Sequence, residues 1–283
     1  MSPRSDGSGP GAGVPPALEI HDASLSFGTR RLWSHLDLFV EPGEFLAVLG
    51  ANGSGKTSLL RVILGQQHLT RGTVAIAGRP AHRGSRDIGY VPQQRRVDPL
   101  TPLRARDLVG LGLDGHRWGI GRPDAGRRRR IDAILDQVGA GGYADRPVGL
   151  LSGGEQQRVR IAQALVAGPK LLLCDEPLLS LDPRSQSATT ALVDQCRRTG
   201  DTAVLFVTHE INPVLPYADR VLYLAGGQFR VGTIEEVLNS RTLSEMYHTP
   251  VEVIRSSGRI LVAGLPDTSG HAGHEAHDVV GAP

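Results

Sequence analysis

Short apolar runs alternate with longer stretches of helical periodicity, the pattern of a parallel sheet wrapped by helices. Phe45–Leu49, Leu171–Cys174 and Ala203–Val207 are apolar at successive positions and so on both faces, which marks them as buried central strands. Between Leu100 and Ala167 the strand signals stop. There Leu103–Leu113, Arg129–Val138 and Gly153–Ala167 read as helices separated by Gly and Pro, a helical subdomain inserted over about 100–167. After Asp219 the pattern turns antiparallel. Val221–Ala225 and Phe229–Val231 across Gly226-Gly227 predict a hairpin, and Val251–Ile254 with Arg259–Val262 across Ser257-Gly258 predict another. Thr233 with Glu236, and Thr242 with Glu245, each fit a capping box opening a short helix. No internal repeat is evident.

Composition changes this picture mainly at the ends. Residues 1–16 are Ser, Gly and Pro with almost nothing to bury, a disordered extension, and the Gly- and His-rich stretch 266–283 reads the same way. The sheet domain then spans 17–240, and 241–265 forms a C-terminal extension carrying the second hairpin. With 31 basic against 29 acidic residues, nothing global points to nucleic acid. Cys174 and Cys196 make neither a metal spacing nor a disulfide framework, as expected of a reduced, intracellular protein. No apolar run approaches the roughly 18 residues that cross a bilayer, and the start lacks the apolar centre of a secretion signal. A membrane connection is therefore expected to come through a partner.

Three motifs carry chemistry. Gly50-Ala51-Asn52-Gly53-Ser54-Gly55-Lys56-Thr57 lies directly between the strand Phe45–Leu49 and the helical run Ser58–Leu64, the context a phosphate-binding loop requires. Its glycines let backbone amides turn inward around phosphates, and the helix adds its positive end. Lys56 brings a point charge to the same phosphates, and the Thr57 hydroxyl is a candidate ligand for Mg²⁺. Downstream, the apolar run Leu171–Cys174 ends in Asp175-Glu176, two carboxylates at the strand edge where open α/β sheets bind ligands. Asp175 is expected to hold Mg²⁺ through water and Glu176 to polarise an attacking water. The third motif is Leu151-Ser152-Gly153-Gly154-Glu155-Gln156-Gln157-Arg158, in which Ser152 and the Gly153-Gly154 amides open a helix and so offer a second anion site.

That third segment resembles the ABC signature motif, and with the phosphate loop it makes the chain similar to the ATP-binding cassettes of ABC transporters over roughly Leu18 to Ser240. The resemblance implies an α/β fold: a P-loop NTPase sheet domain with an inserted helical signature subdomain and an antiparallel β portion. It implies ATP and Mg²⁺ as cofactors and a homodimer of cassettes arranged head to tail, in which Ser152, Gly153, Gly154 and Asp182 of one copy complete the nucleotide site of the other. Nucleotide contacts are implied for Phe27, which takes the place of the aromatic that stacks on adenine, and for Gly50 through Ser58. Gln93 in Gly89-Tyr90-Val91-Pro92-Gln93 matches the glutamine that reaches metal and water, and His209 in Thr208-His209-Glu210 matches the switch histidine. Ser180-Leu181-Asp182 matches the loop that crosses the dimer, with Leu179 standing where Ser or Thr is more usual. A polytopic membrane permease, an extracytoplasmic solute-binding protein and a peripheral position on the cytoplasmic face of the plasma membrane follow from the same resemblance, with no nucleic-acid partner.

The run from Gly89 to Asp98 and the helix beginning near Pro102 look like the cassettes of manganese and zinc importers. Arg104 stands where a capping Thr would fall, and Thr101 with Pro102 offers another start for that helix. In the tail, His271, His274 and His277 are candidate ligands for a transition metal, against the plainer reading of a solvated low-complexity segment. The run Arg127–Arg130 reads as a solvated helix start. Competing functions are an exporter or importer of another solute built on the same engine, and a soluble ABC ATPase without a permease. No long heptad run and no second cassette accompany this one, and no guanine-reading Asn-Lys-x-Asp motif occurs.

Overall fold

The computed structural model describes residues 14–93, 97–98, 100–115 and 124–264. The chain opens with an antiparallel pair, β1 (Leu18–Phe27) and β2 (Arg30–Val40), then enters the central strand β3 (Phe45–Gly50) and helix α1 (Lys56–Ile63). Strands β4 (Arg71–Ile76) and β5 (Arg79–Pro80) return to the first pair, completing a four-stranded sheet in the order β2-β1-β4-β5. After β6 (Ile88–Val91) come the helices α2 (Ala105–Asp114), α3 (Ala125–Gln137) and α4 (Gly153–Leu165). Then follow β7 (Leu171–Asp175), α5 (Pro183–Gly200), β8 (Ala203–Val207), β9 (Arg220–Ala225) and β10 (Gln228–Gly232). Short helices α6 (Ile234–Val237) and α7 (Ser240–Tyr247) lead to the hairpin β11 (Glu252–Ser256) and β12 (Arg259–Ala263).

The second sheet has six strands in the order β10-β9-β3-β8-β7-β6, parallel except for β10. Both of its faces are covered, and the alternation along each strand shows by what. Leu46, Val48, Leu171, Leu173, Leu205 and Val207 join the core shared with α1 and the four-stranded sheet. Their neighbours Phe45, Ala47, Leu172, Cys174, Val204 and Phe206 join the core shared with the helical segment and the C-terminal extension. A strand buried on both faces has no polar alternation, which is why these runs read as continuously apolar. Phe45 and Phe206 stack at 5.4 Å across β3 and β8.

The three sequence-predicted central strands and the helical insertion are present, with three local differences. Helix α2 begins at Ala105 with Arg104 as its N-cap, not at Thr101 and Pro102, and no side chain caps it. The amides of Ala105 and Arg106 donate instead to the carbonyls of Arg146 and Ala144, so the capping Thr is not needed. Helix α3 starts at Ala125, four residues before the expected Arg129, because Asp124 caps it through the amides of Gly126 and Arg127. The Thr233–Glu236 capping box forms, but Thr242 with Glu245 does not. Asn239 caps α7 by accepting from the Thr242 amide at 2.9 Å, and Glu245 pairs with Arg241 at 3.1 Å.

Gly112 decides how closely α2 approaches α4. A Cβ there would sit 2.1 Å from the Gln163 carbonyl oxygen and 2.7 Å from Val166 Cγ1. Helix propensity alone favours Gly112→Ala by about 1 kcal/mol. The backbone collision reverses the sign, and a net loss of about 1–3 kcal/mol is expected in denaturant unfolding. A variant of equal or greater stability would mean that the two helices are free to separate.

Candidate active site

The loop between β3 and α1 is shaped by glycines that no other residue could replace. Gly50 has φ +139°, and a Cβ on it would lie 2.0 Å from the Leu224 carbonyl oxygen of β9. Gly55 has φ +102° with Trp33 Nε1 3.0 Å from where its Cβ would be, so β2 supports the loop from below. Lys56 is buried, and its ammonium donates to the carbonyls of Gly50 at 2.7 Å and Ala51 at 3.0 Å. Burial pulls its pKa below the ordinary lysine value, while Glu176 and Asp175 oppose that shift. Ser54 Oγ and Trp33 Nε1 are buried with no hydrogen-bond partner. An unpaired hydroxyl in a loop of inward-turned glycines suits a loop completed by a ligand.

A cleft of about 400 Å³ opens above this loop, lined by Asn52, Gly53, Lys56, Thr57 and Ser58, with Phe27 and Arg30 on one side and Glu176 on the other. Phe27 is half exposed at the end of β1, free to stack a flat group. Arg30 and Leu32, neither flagged by any motif, also line the cleft, and Arg30 Nη2 donates to the Gly53 carbonyl at 3.0 Å.

The carboxylates follow from β7. Asp175 is buried, and burial raises its pKa above the usual carboxylate range. Tyr90 of β6 donates to its Oδ2 at 3.3 Å, and partial burial beside that charge pushes the Tyr90 hydroxyl up to about 12. Glu176 turns out of the strand in a left-handed conformation, φ +47°, with its amide donating to the Val207 carbonyl at 3.0 Å. That turn delivers its carboxylate to two other predicted residues. Gln93 Nε2 reaches Glu176 Oε2 at 3.5 Å, and His209 Nδ1 lies 3.6 Å from the same oxygen. Side chains from two other strand ends thus converge on the Glu176 carboxylate.

The signature helix lies elsewhere. Ser152 caps α4 in a full capping box, its amide and hydroxyl both donating to Glu155 Oε2 at 2.8 Å. Asp182 caps α5 through the amides of Arg184 and Ser185. Neither Ser152–Gly154 nor Asp182 is among the residues lining the cleft. His271, His274 and His277 lie outside the described residues, as do Gln94, Arg95 and Arg96.

The ABC transporter family pattern matches residues 33–179, from β2 through the phosphate loop and the signature helix to the loop after β7. The chain belongs to the ABC transporter family. It is the ATP-binding subunit of such a transporter, and its enzymatic activity is ATP hydrolysis coupled to transport. This ABC cassette is 35% identical over 208 residues to the zinc transport system ATP-binding protein TroB of Treponema pallidum, covering 74% of this chain and 78% of that protein. Over 250 residues it is 29% identical to the manganese transport system ATP-binding protein MntB of Halalkalibacterium halodurans, covering 88% of this chain and 99% of that one. Among solved structures it is similar to an inward-facing ABC transporter of the metal-chelate type, with TM-score 0.74 and 26% identity over 87% of this chain and 96% of the other. CbiO1 of Clostridium perfringens, part of the CbiONQ complex, has TM-score 0.70 and 26% identity over 82% of this chain and 94% of that one. Among the described residues no helix is long and apolar enough to cross a membrane.

The signature cap has a pH signature of its own. The Ser152 amide and hydroxyl hold Glu155 below its ordinary value of 4.5 in the folded cassette. A depressed folded pKa contributes stability above the unfolded value and loses it as pH falls through the folded one. Glu155→Ala should therefore cost about 1 kcal/mol at pH 7, and the gap from the parent protein should close as acid protonates Glu155. Denaturant unfolding at several pH values reads the difference, and a gap that is constant with pH would show that the carboxylate charge plays no part.

Proposed function

We propose that this cassette drives import of a divalent first-row metal, Mn²⁺ or Zn²⁺, as a head-to-tail homodimer docked on a polytopic permease at the cytoplasmic face of the plasma membrane. The convergence of Gln93 and His209 on Glu176 beside the phosphate loop carries the motor chemistry. Lys56 leaves the Gly50 and Ala51 carbonyls for the phosphates of ATP, which answer its buried charge better than neutral carbonyls do. Phe27 stacks on the adenine, and the loop from Gly50 to Ser58 cradles the phosphates. Glu176 polarises the lytic water, with Gln93 and His209 fixing where that water sits.

Among the described residues no group of three or more His, Cys, Asp or Glu is arranged to hold a metal ion. In this reading Thr57, Gln93 and Asp175 would hold Mg²⁺, whose preference for oxygen ligands their side chains suit. When bound, Mg²⁺ neutralises charge on the transferring phosphate. Ser152, Gly153, Gly154 and Asp182 lie outside the cleft of their own chain, which supports their acting on the nucleotide held by a second copy.

The cargo is supported by the likeness to the zinc and manganese system proteins and by the sequence from Gly89 to the start of α2, which resembles the cassettes of such importers. A solute-binding protein on the far side of the membrane completes the importer in this reading.

Glu176→Gln should lower kcat at least about a hundredfold and leave ATP affinity intact, whereas Lys56→Ala should weaken ATP binding itself. The Glu176→Gln protein should dimerise with ATP and dissociate without it, since the nucleotide is part of the interface. Steady-state turnover, equilibrium ATP binding and sedimentation measure the three effects. Normal turnover in Glu176→Gln removes the assigned base, and a sedimentation pattern indifferent to ATP removes the proposed dimer.

For cargo, the complete transporter reconstituted with its co-purifying permease should take up radiolabelled Mn²⁺ or Zn²⁺ only when ATP is hydrolysed. Uptake that ignores both ions and follows an organic solute instead would leave the motor standing and overturn the metal reading.

A further inference from the structure

His209 stands in an irregular segment that joins β8 to β9, and its side chain is nearly half exposed. Nothing in the sheet ladder fixes it. Upstream the segment is fastened twice: the Thr208 amide donates to the Val48 carbonyl at 3.1 Å, and the Glu210 amide donates to Thr208 Oγ1 at 3.0 Å. Downstream, besides the local turn in which the Val214 and Leu215 amides donate to the Ile211 carbonyl, a fastening comes from a distant part of the chain. The Asn212 side chain makes two hydrogen bonds to one residue of β12: its Nδ2 donates to the Ile260 carbonyl at 3.1 Å, and its Oδ1 accepts from the Ile260 amide at 2.8 Å. This primary amide pairs with the strand as a neighbouring backbone would, across 48 residues of sequence.

The strand it grips is itself held. Ile260 is buried in the cluster that includes Phe206 and Val214. Ser240 of α7 accepts from the Val253 amide at 2.8 Å, and Ser244 accepts from the Val251 amide at 2.9 Å. Arg255 donates to the Leu238 carbonyl at 3.0 Å. The hairpin β11–β12 is thus a strut anchored on α7 at one side and on the His209 segment at the other.

We propose that Asn212 is a positioning residue for ATP hydrolysis: by clamping the segment to Ile260 it holds His209 within reach of Glu176, and it makes the C-terminal hairpin part of the catalytic apparatus. The inference rests on the reading of His209 as the residue that helps place the attacking water. A side chain that must hold one geometry loses turnover when its backbone gains freedom, because fewer molecules present the productive arrangement at any moment. The phosphate loop is untouched, so nucleotide affinity is not drawn on.

The test uses the full-length chain and compares Asn212→Ala, Asn212→Asp and His209→Ala. Asn212→Asp keeps the shape but sets an oxygen against the Ile260 carbonyl, so it breaks the same clamp with less loss of packing. Both Asn212 variants should lower kcat about five- to tenfold with KM for ATP within about twofold, and His209→Ala should lower kcat further. Amide exchange should quicken in the peptide covering 208–212 and stay unchanged in the phosphate loop. A kcat equal to that of the parent protein in both Asn212 variants overturns the inference, as does a loss expressed in KM. If Asn212→Ala does not fold, Asn212→Asp decides alone. Normal turnover in His209→Ala would instead remove the reading of His209 on which the clamp's purpose depends.

Discussion

Burial of the central strands on both faces is the constraint from which the rest follows. Strands covered on two sides cannot leave backbone groups unpaired, so β3, β8 and β7 are held in one continuous parallel ladder. Its register aligns Val48 with Val207 and Val207 with Asp175, while Val91 faces Cys174 and Gly50 faces Leu224. The residues just past these rows are Gly50 of the phosphate loop, Glu176, Thr208 with His209, and Gln93. Parallel pairing therefore brings four strand ends, far apart in sequence, to a single edge of the sheet. A slip of one residue in any strand would exchange its two faces between the two cores and move its catalytic residue out of reach.

Electrostatics then sets the terms at that edge. Lys56 and Asp175 are both buried, and burial moves each toward its neutral form. The lysine donates to two carbonyls and feels the charges of Glu176 and Asp175, while Asp175 accepts from the Tyr90 hydroxyl and feels Arg61 and Lys56. Phosphate oxygens are stronger partners for a buried ammonium than neutral carbonyls are, which fits the proposed role of Lys56.

The sequence was informative where local chemistry and local structure coincide. The phosphate loop needed only Gly50 through Thr57 and flanking periodicity, and the capping box at Thr233 and Glu236 is contained within four residues. It was silent where structure depends on distant partners. The start of α2 was misplaced because its first amides are met by Arg146 and Ala144 carbonyls, which no local pattern announces. The four-stranded sheet formed by β1, β2, β4 and β5 was not located, since β1 and β2 carry bulges at Asp22 and His35 that interrupt alternation. Arg30 in the cleft, Tyr90 on Asp175 and Asn212 on Ile260 are long-range pairings of ordinary residues. No residue in the sequence marks any of them in advance.

In the proposed dimer each chain supplies the phosphate-binding half of one site and the signature half of the other. Mixing two inactive proteins tests this division most directly. Lys56→Ala lacks the phosphate-binding half, and Ser152→Arg blocks the signature half. Alone, each should hydrolyse ATP negligibly. Combined in equal amounts they should form heterodimers that contain one intact composite site, restoring activity in about one site in four. Activity no greater than the sum of the separate proteins would contradict a site shared between two copies.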